Sequence, residues 1–440
     1  MFVFLLQLRD TLQNGRVYLF TFFVAIVWLN WMRKVQLSRR YRPFTGTVTA
    51  TTSVIIPVVD EPEELFDEVL RRIVAQQPDE VLVVINGPRN ERLEQICNRF
   101  DRVSWTWTTT PGKRNALRLG VERAKGDVVV LVDSDTIWTR NTLGELLKPF
   151  ADERIGGVTS RQHILAHDRH VLTRWADWME CVRNEYSMPA MSVLGTVGCL
   201  PGRTIAFRRQ VLVDAMPNFL GARFLGLFLE VSDDRTLTNE ALKQGYRTVY
   251  QGTSVVYTDA PTAWKKMAKQ QLRWARGSQY NTLRMLPWML RNARTLAFFY
   301  LCDVGLPFLL LCTITGWAFR VATTNPPSLF RGVVATYGHG VAFVVLITSS
   351  ILMSTLASAI RQSRHLRNRP DDLLRLPAYL IISTVFLMPI RILGFVRMAH
   401  ASGWGTRAGG YAGERTINPY AAVPYLIAAV TVVLGTVLPN

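Results

Sequence analysis

The chain predicts an α/β domain on a mixed, mostly parallel sheet, inserted between helices of membrane character. Three observations carry that prediction. Short β-branched runs at Ser53 to Val59, Val81 to Ile85 and Val128 to Val132 alternate with amphipathic stretches at Glu61 to Gln76 and Arg114 to Ala124. The runs lack polar alternation, which is the pattern of strands covered on both faces. Long apolar segments lie on either side of this alternating region.

Residues 1–43 hold the first apolar segment, Val17 to Met32, bounded by Arg16 and by Arg33, Lys34, Arg39, Arg40 and Arg42. With its flanks it reads as a membrane helix. A secretory signal would carry its basic residues ahead of the apolar run, not behind it.

Residues 44–260 form the α/β domain. Each of its strands ends in a polar cluster, Asp60-Glu61, Asn86-Gly87-Pro88 and Asp133-Ser134-Asp135, and ligands of open α/β sheets gather at such carboxyl ends. Residues 261–294 are rich in Trp, Met, Lys and Arg, the composition of a helix in the headgroup region. Trp264, Met267, Gln271, Trp274 and Ser278 share one face, and Lys265, Lys269, Arg273 and Arg276 another.

Residues 295–440 continue with apolar segments at Leu296 to Phe319, Val333 to Ala357 and Tyr420 to Leu438, each expected to span. Leu376 to Met398 carries Pro377, Pro389, Arg391 and Arg397, so both a spanning and a re-entrant course fit it. The link from Ile360 to Arg375 holds five arginines, which the positive-inside rule puts in the cytoplasm together with the α/β domain.

A formal charge of +18 beside 49% hydrophobic and only 19% charged residues suits a membrane protein against anionic lipid. No base-reading motif accompanies the charge, so nucleic acid is not an expected partner. The five cysteines lack metal-ligand spacing and read as free thiols. His163, His167 and His170 read as loop or surface residues, Trp175 and Trp178 as core.

Asp133-Ser134-Asp135 directly after a buried strand offers the one or two carboxylates that a divalent ion on a diphosphate needs, although alone it reads equally well as a solvated turn. Ser232-Asp233-Asp234 likewise suits an acidic helix start, or a carboxylate pair in which one member has a raised pKa. Context separates these readings. Lys113-Arg114-Asn115-Ala116-Leu117, Lys125-Gly126-Asp127, Asp133-Ser134-Asp135, Asp233-Asp234-Arg235 and Gln270-Gln271-Leu272-Arg273-Trp274 together resemble the processive family 2 glycosyltransferases of GT-A fold.

The resemblance implies a UDP-sugar donor, a Mg²⁺ or Mn²⁺ ion at Asp135, and donor contacts from Asp60, Glu61, Lys113 and Asp133. Asn86 stands where the family carries an acid, and its amide can still hydrogen-bond a uracil edge as a donor contact. Asp234, beside Asp233, would be the base; Arg273 would grip the diphosphate, and Gln270 and Trp274 the terminal sugar of a growing polysaccharide. Cys199, Gly202 and Arg203 resemble the acceptor segment of hyaluronan synthases, though these commonly have Ser-Gly-Pro where this chain has Leu200-Pro201-Gly202. Trp404-Gly405-Thr406-Arg407 resembles their donor-side loop, which would place Trp404 and Arg407 near the nucleotide and make Leu376 to Met398 re-entrant or interfacial. The resemblance thus implies a polymerising enzyme of the plasma membrane. Transfer of one sugar to a polyprenyl phosphate, and a non-catalytic scaffold or transporter, are the rival readings.

Overall fold

The computed structural model describes every residue except Met1, Arg16, Val17, Pro111, Leu229, 324–329, 401–418, Pro439 and Asn440. The chain divides into two compact units, one of Met1–Lys34, Ala297–Met398 and Pro419–Asn440, the other of Val35–Leu296 and Ala399–Asn418. Helices α1 (Phe2–Asn14) and α2 (Leu19–Ser38) open the chain.

The second unit is built on an eight-stranded sheet of order β3-β2-β1-β4-β7-β6-β10-β5. Its strands are β1 (Thr52–Val58), β2 (Glu80–Asn86), β3 (Val103–Thr108), β4 (Val128–Val132), β5 (Thr136–Trp138), β6 (Ile155–Ile164), β7 (Thr204–Arg208) and β10 (Arg247–Thr258); β8 (Arg223–Phe224) and β9 (Leu227–Phe228) form a separate ribbon. Between them run helices α3 (Glu63–Val74), α4 (Glu91–Cys97), α5 (Lys113–Arg123), α6 (Thr142–Leu147), α7 (Val171–Val182), α8 (Met188–Val193), α9 (Arg209–Leu220) and α10 (Asp233–Lys243), with α11 (Trp264–Asn292) after β10. Strands β1 and β4 are buried along their whole length, as their uninterrupted apolar runs require. On one face Phe66, Val69, Leu70 and Ile73 of α3 close the core. On the other, α5 comes so near that a Cβ on Gly120 would lie 2.5 Å from Ile55.

Two features of the topology position a site. From β1 the chain steps outward to β2 and β3, then returns to β4 on the other side of β1, which leaves a crevice beyond the carboxyl ends of β1 and β4. Strand β7 then runs antiparallel to both β4 and β6, so its first residues arrive where β4 ends. The sheet is therefore mixed as expected, and the antiparallel strand delivers a distant segment to the crevice.

The linker ahead of β1 is fastened to β10. Tyr41 donates to the Tyr250 carbonyl at 2.9 Å and accepts from Gly252 N at 2.8 Å; the Gln251 amide accepts from Phe44 N and donates to its carbonyl at 3.0 and 2.9 Å.

In the first unit, α12 (Arg294–Ala322), α13 (Arg331–Arg361) and the segment Asp372–Val396 are long and apolar enough to cross a membrane. Trp31 donates to the Arg361 carbonyl at 2.8 Å, and the Arg361 guanidinium lies over Trp28. Helix α13 is broken at Gly338, whose φ of 79° no helix interior allows. After α14 (Ser363–Asn368), α15 (Asp372–Ile381) continues through a π-turn at Ile382–Leu387 into α16 (Met388–Val396). The π-turn accommodates Pro389 without ending the helix, so the stretch read as interrupted is one element of spanning length. The last helix, α17 (Ala422–Val437), has 16 residues and follows directly on a 3₁₀ turn at Pro419–Ala421, so helical structure covers most of the apolar segment from Tyr420 to Leu438.

Gln251→Ala removes both ties to Phe44, about 1–2 kcal/mol of local stability. Limited trypsin digestion should then cut faster at Arg39 and Arg40, with sites elsewhere unchanged; an unaltered cleavage pattern would show that the linker is held by other means.

Candidate active site

The ends of β1, β4 and β7 meet. Asp133 N donates to the Arg203 carbonyl at 3.2 Å, and Ser134 Oγ donates to Glu61 Oε1 at 2.8 Å. Lys113, the first residue of α5, forms an ion pair with Asp133. Burial alone would lower the pKa of this ammonium, but Asp133, Asp233 and Asp234 outweigh it and hold the value above that of an ordinary lysine. Asp135 is pushed up to about 6 by burial and by the neighbouring Asp133 and Glu61, against the pull of Arg203 and Lys113. Oxygen donors crowded until they repel one another fit a hard divalent cation.

Lys113, Asp133, Gly202, Asp233 and Asp234 line a small pocket together with Pro57, Leu117 and Leu131. Asp234 Oδ2 accepts from Gly202 N at 3.2 Å and faces the Cys199 thiol at 3.9 Å; Oδ1 accepts from Arg235 N at 2.7 Å. Burial raises its pKa, Asp233 and Asp133 add to the rise, and the Arg235 amide and Lys113 oppose it. Burial, with Asp234 beside it, pushes the Cys199 thiol up to about 12.

The two adjacent carboxylates differ in their partners. Asp233 Oδ1 accepts from Arg114 Nε at 2.8 Å, in an ion pair whose arginine is 1% exposed. Of the pair expected to carry chemistry, Asp233 is thus committed to a structural cation. Ser232, just before α10, has a left-handed backbone with φ of 62°, and the expected side-chain cap is not formed. Its Cβ sits where a Cβ on Gly277 would come within 2.5 Å, so α11 packs directly on this bend. Arg235 completes the junction, donating to Ser278 O and Oγ at 2.8 and 2.6 Å and to Thr282 Oγ1 at 2.7 Å.

On the other side of Gly202 lies Arg203, which bonds Gln162 at 2.8 Å and Glu180 at 3.0 Å and places its guanidinium 5.8 Å from the Trp274 ring. Trp274 is 40% exposed, so the indole offers an open face. Asp234 thus meets Gly202, while Trp274 and Asp135 both interact with Arg203. Gln270 and Arg273 are half-buried beside them on α11, and Asp60 is exposed at the end of β1. Asn86 is 2% exposed, with its amide nitrogen donating to the Thr110 and Gly112 carbonyls at 2.7 and 3.3 Å. That spends the donor expected to read a base on holding the loop before α5. Trp404 and Arg407 lie outside the described residues.

Arg114, Arg235, Glu180 and Gln162 were not singled out for a site role by sequence reasoning. Only the two arginines carried a signal, as members of the Lys-Arg and Asp-Asp-Arg strings. Trp175 and Trp178 are buried core residues. His163 meets Asp177 and Cys181 with ligand atoms within 4.8 Å of one another, a grouping invisible in the spacing. Arg161 Nε lies 3.1 Å from His163 Nε2, and a guanidinium donating there leaves the proton on Nδ1, the atom a metal would need.

Residues 50–277 match the family model described as glycosyltransferase like family 2. The hyaluronan synthase of Streptococcus pyogenes is 28% identical over 387 residues, 85% of this chain and 87% of its own length. An N-acetylglucosaminyltransferase of Rhizobium meliloti is 30% identical over 286 residues, 62% and 66% of the two chains. Among solved structures, a mannosyltransferase from Pyrobaculum calidifontis, in complex with GDP-Man and Mn²⁺, aligns with a TM-score of 0.56 at 18% identity over 84% of this chain and 99% of that one. That likeness is one of fold.

Gly277→Ala should cost about 1–3 kcal/mol, read as a lower thermal midpoint in detergent, because neither the helix nor the Ser232 bend has room to yield. Gly305→Ala, with nothing within 4 Å of the added carbon, should leave the midpoint unchanged or higher.

Proposed function

The chain belongs to the family 2 glycosyltransferases, and from that premise we propose a processive, inverting enzyme that joins UDP-activated sugars, N-acetylglucosamine and glucuronic acid foremost, into a β-linked polysaccharide. The polymer would leave through the enzyme's own membrane helices, with residues 44–260 on the cytoplasmic side of the plasma membrane. The observation that carries this reading is the adjacency of Asp234 to Gly202 and of Trp274 to Arg203, which sets a buried carboxylate beside an open aromatic face. Similarity to a hyaluronan synthase over 85% of the chain supports the choice of polymer class.

Asp60, Glu61, Lys113 and Asp133 hold the nucleotide end of the donor, with Asn86 fixing the loop ahead of Lys113. Asp135 would hold Mg²⁺ or Mn²⁺, which when bound neutralises the diphosphate as it leaves. Arg273 presents a planar fork to the same oxygens, and Trp404 and Arg407 belong to this donor side by motif. On the acceptor side the terminal sugar stacks on Trp274, with Gln270, Cys199, Gly202 and Arg203 around it. Asp234 removes the acceptor hydroxyl proton as that oxygen bonds to the anomeric carbon, and the bond to UDP breaks with its electron pair on the leaving phosphate.

Purified protein given UDP-sugars singly and in pairs should release UDP steadily and form long product only with both donors, and a hyaluronan-specific hydrolase should degrade that product. A single-sugar lipid would overturn processivity, and polymer from one sugar would overturn the hyaluronan assignment. Asp234→Asn should lower UDP release by about 10²–10⁴-fold, the usual worth of a general base. Since the carboxylate is the active form and its pKa is raised, activity should fall with decreasing pH at a point above the ordinary aspartate range. Trp274→Ala should weaken acceptor binding about tenfold while UDP affinity holds.

A further inference from the structure

We propose that Arg114 is a positioning residue that decides which of two adjacent carboxylates is left to act as base, an inference that rests on Asp234 having that role. Arg114 follows Lys113 at the head of α5, and these two cations separate two acids: Lys113 pairs with Asp133, Arg114 with Asp233. The Arg114 side chain is enclosed. Besides Asp233 it donates to the Phe219 carbonyl at 2.6 Å and to the Val231 carbonyl and Thr236 Oγ1 at 3.4 Å, and its guanidinium lies 4.8 Å from the centre of the Phe219 ring. It thereby ties both ends of the segment from Phe219 to Val231 to α5, the last of them immediately ahead of the strained Ser232.

Two consequences follow from this geometry. The carboxylate of Asp233 is fixed against α5, so the bend at Ser232 can direct only Asp234 toward Gly202. The charge of Asp233 is also neutralised at contact distance, which keeps it from acting on Asp234 as an uncompensated neighbour. Other charged or titratable groups facing Asp234 are Lys113 from α5, Asp133 from the end of β4, Cys199 from the segment before β7, and Arg235 from α10 itself. Helix α11 meets the bend through Gly277 and Ser278, which are uncharged.

The test is the pH dependence of kcat for UDP release, with both donors saturating, in full-length Arg114→Lys, Arg114→Gln, Asp233→Asn and the double variant Arg114→Gln/Asp233→Asn. The acid limb should move up by about one unit in Arg114→Gln, where Asp233 loses its counter-charge, and down in Asp233→Asn, where Arg114 gains an excess one. It should return near the parent position in the double variant, and Arg114→Lys should lie closer to the parent than Arg114→Gln. An unmoved limb in every variant, with Arg114→Lys no better than Arg114→Gln, would reduce Arg114 to a packing residue and overturn the proposal. Should Arg114→Gln fail to fold, the comparison of Asp233→Asn with the double variant still decides, since a limb that does not move back up when Arg114 is also removed would overturn the proposal. A fully active Asp234→Asn would instead sink the assignment of the base, separately from anything concerning Arg114.

Discussion

The arrangement depends on how repulsion among five acids is managed in one crevice. Glu61, Asp133, Asp135, Asp233 and Asp234 come from the ends of two strands and the head of one helix, and left alone they would force the crevice open or take up protons. The fold answers with cations of fixed address: Lys113 to Asp133, Arg114 to Asp233, with Arg203 acting on Asp135. Compensation is incomplete where chemistry is wanted. Asp135 and Asp234 keep raised pKa values, one among crowded carboxylates suited to a divalent ion and the other against Gly202 and Cys199.

Much of the sheet was legible because strands buried on both faces must be continuously apolar, and β1, β2 and β4 announce themselves that way. The direction of β7 was not, since Thr204 to Arg208 reads as any other short strand and nothing local specifies antiparallel pairing. Yet that direction brings Gly202 and Arg203 to the carboxyl end of β4. Helices α12 and α13 were legible in place from hydropathy. The π-turn that keeps Asp372–Val396 continuous was not, because two prolines in a linear pattern look like a break, and backbone hydrogen bonding that absorbs one of them leaves no compositional mark.

Within the site, residues in short motifs were readable and their partners were not. Asp133, Asp135, Asp234 and Trp274 stand in strings whose spacing reflects local structure. Arg114 reaches Asp233 across 119 positions and Arg203 reaches Glu180 across 23, so each is defined by tertiary packing. Asn86 shows the converse: by resemblance its amide suited a uracil edge, and the structure spends the amide nitrogen on the neighbouring loop.

The contact between Ser232 and Gly277 links two positions by size. A serine held in left-handed backbone would relax as glycine, yet its side chain occupies the hollow left by the missing carbon on the facing helix. Bulk at one position therefore sets the permitted bulk at the other, and the pair behaves as a single steric variable: a chain that places glycine first in the bend has room for alanine opposite, and one that keeps serine does not.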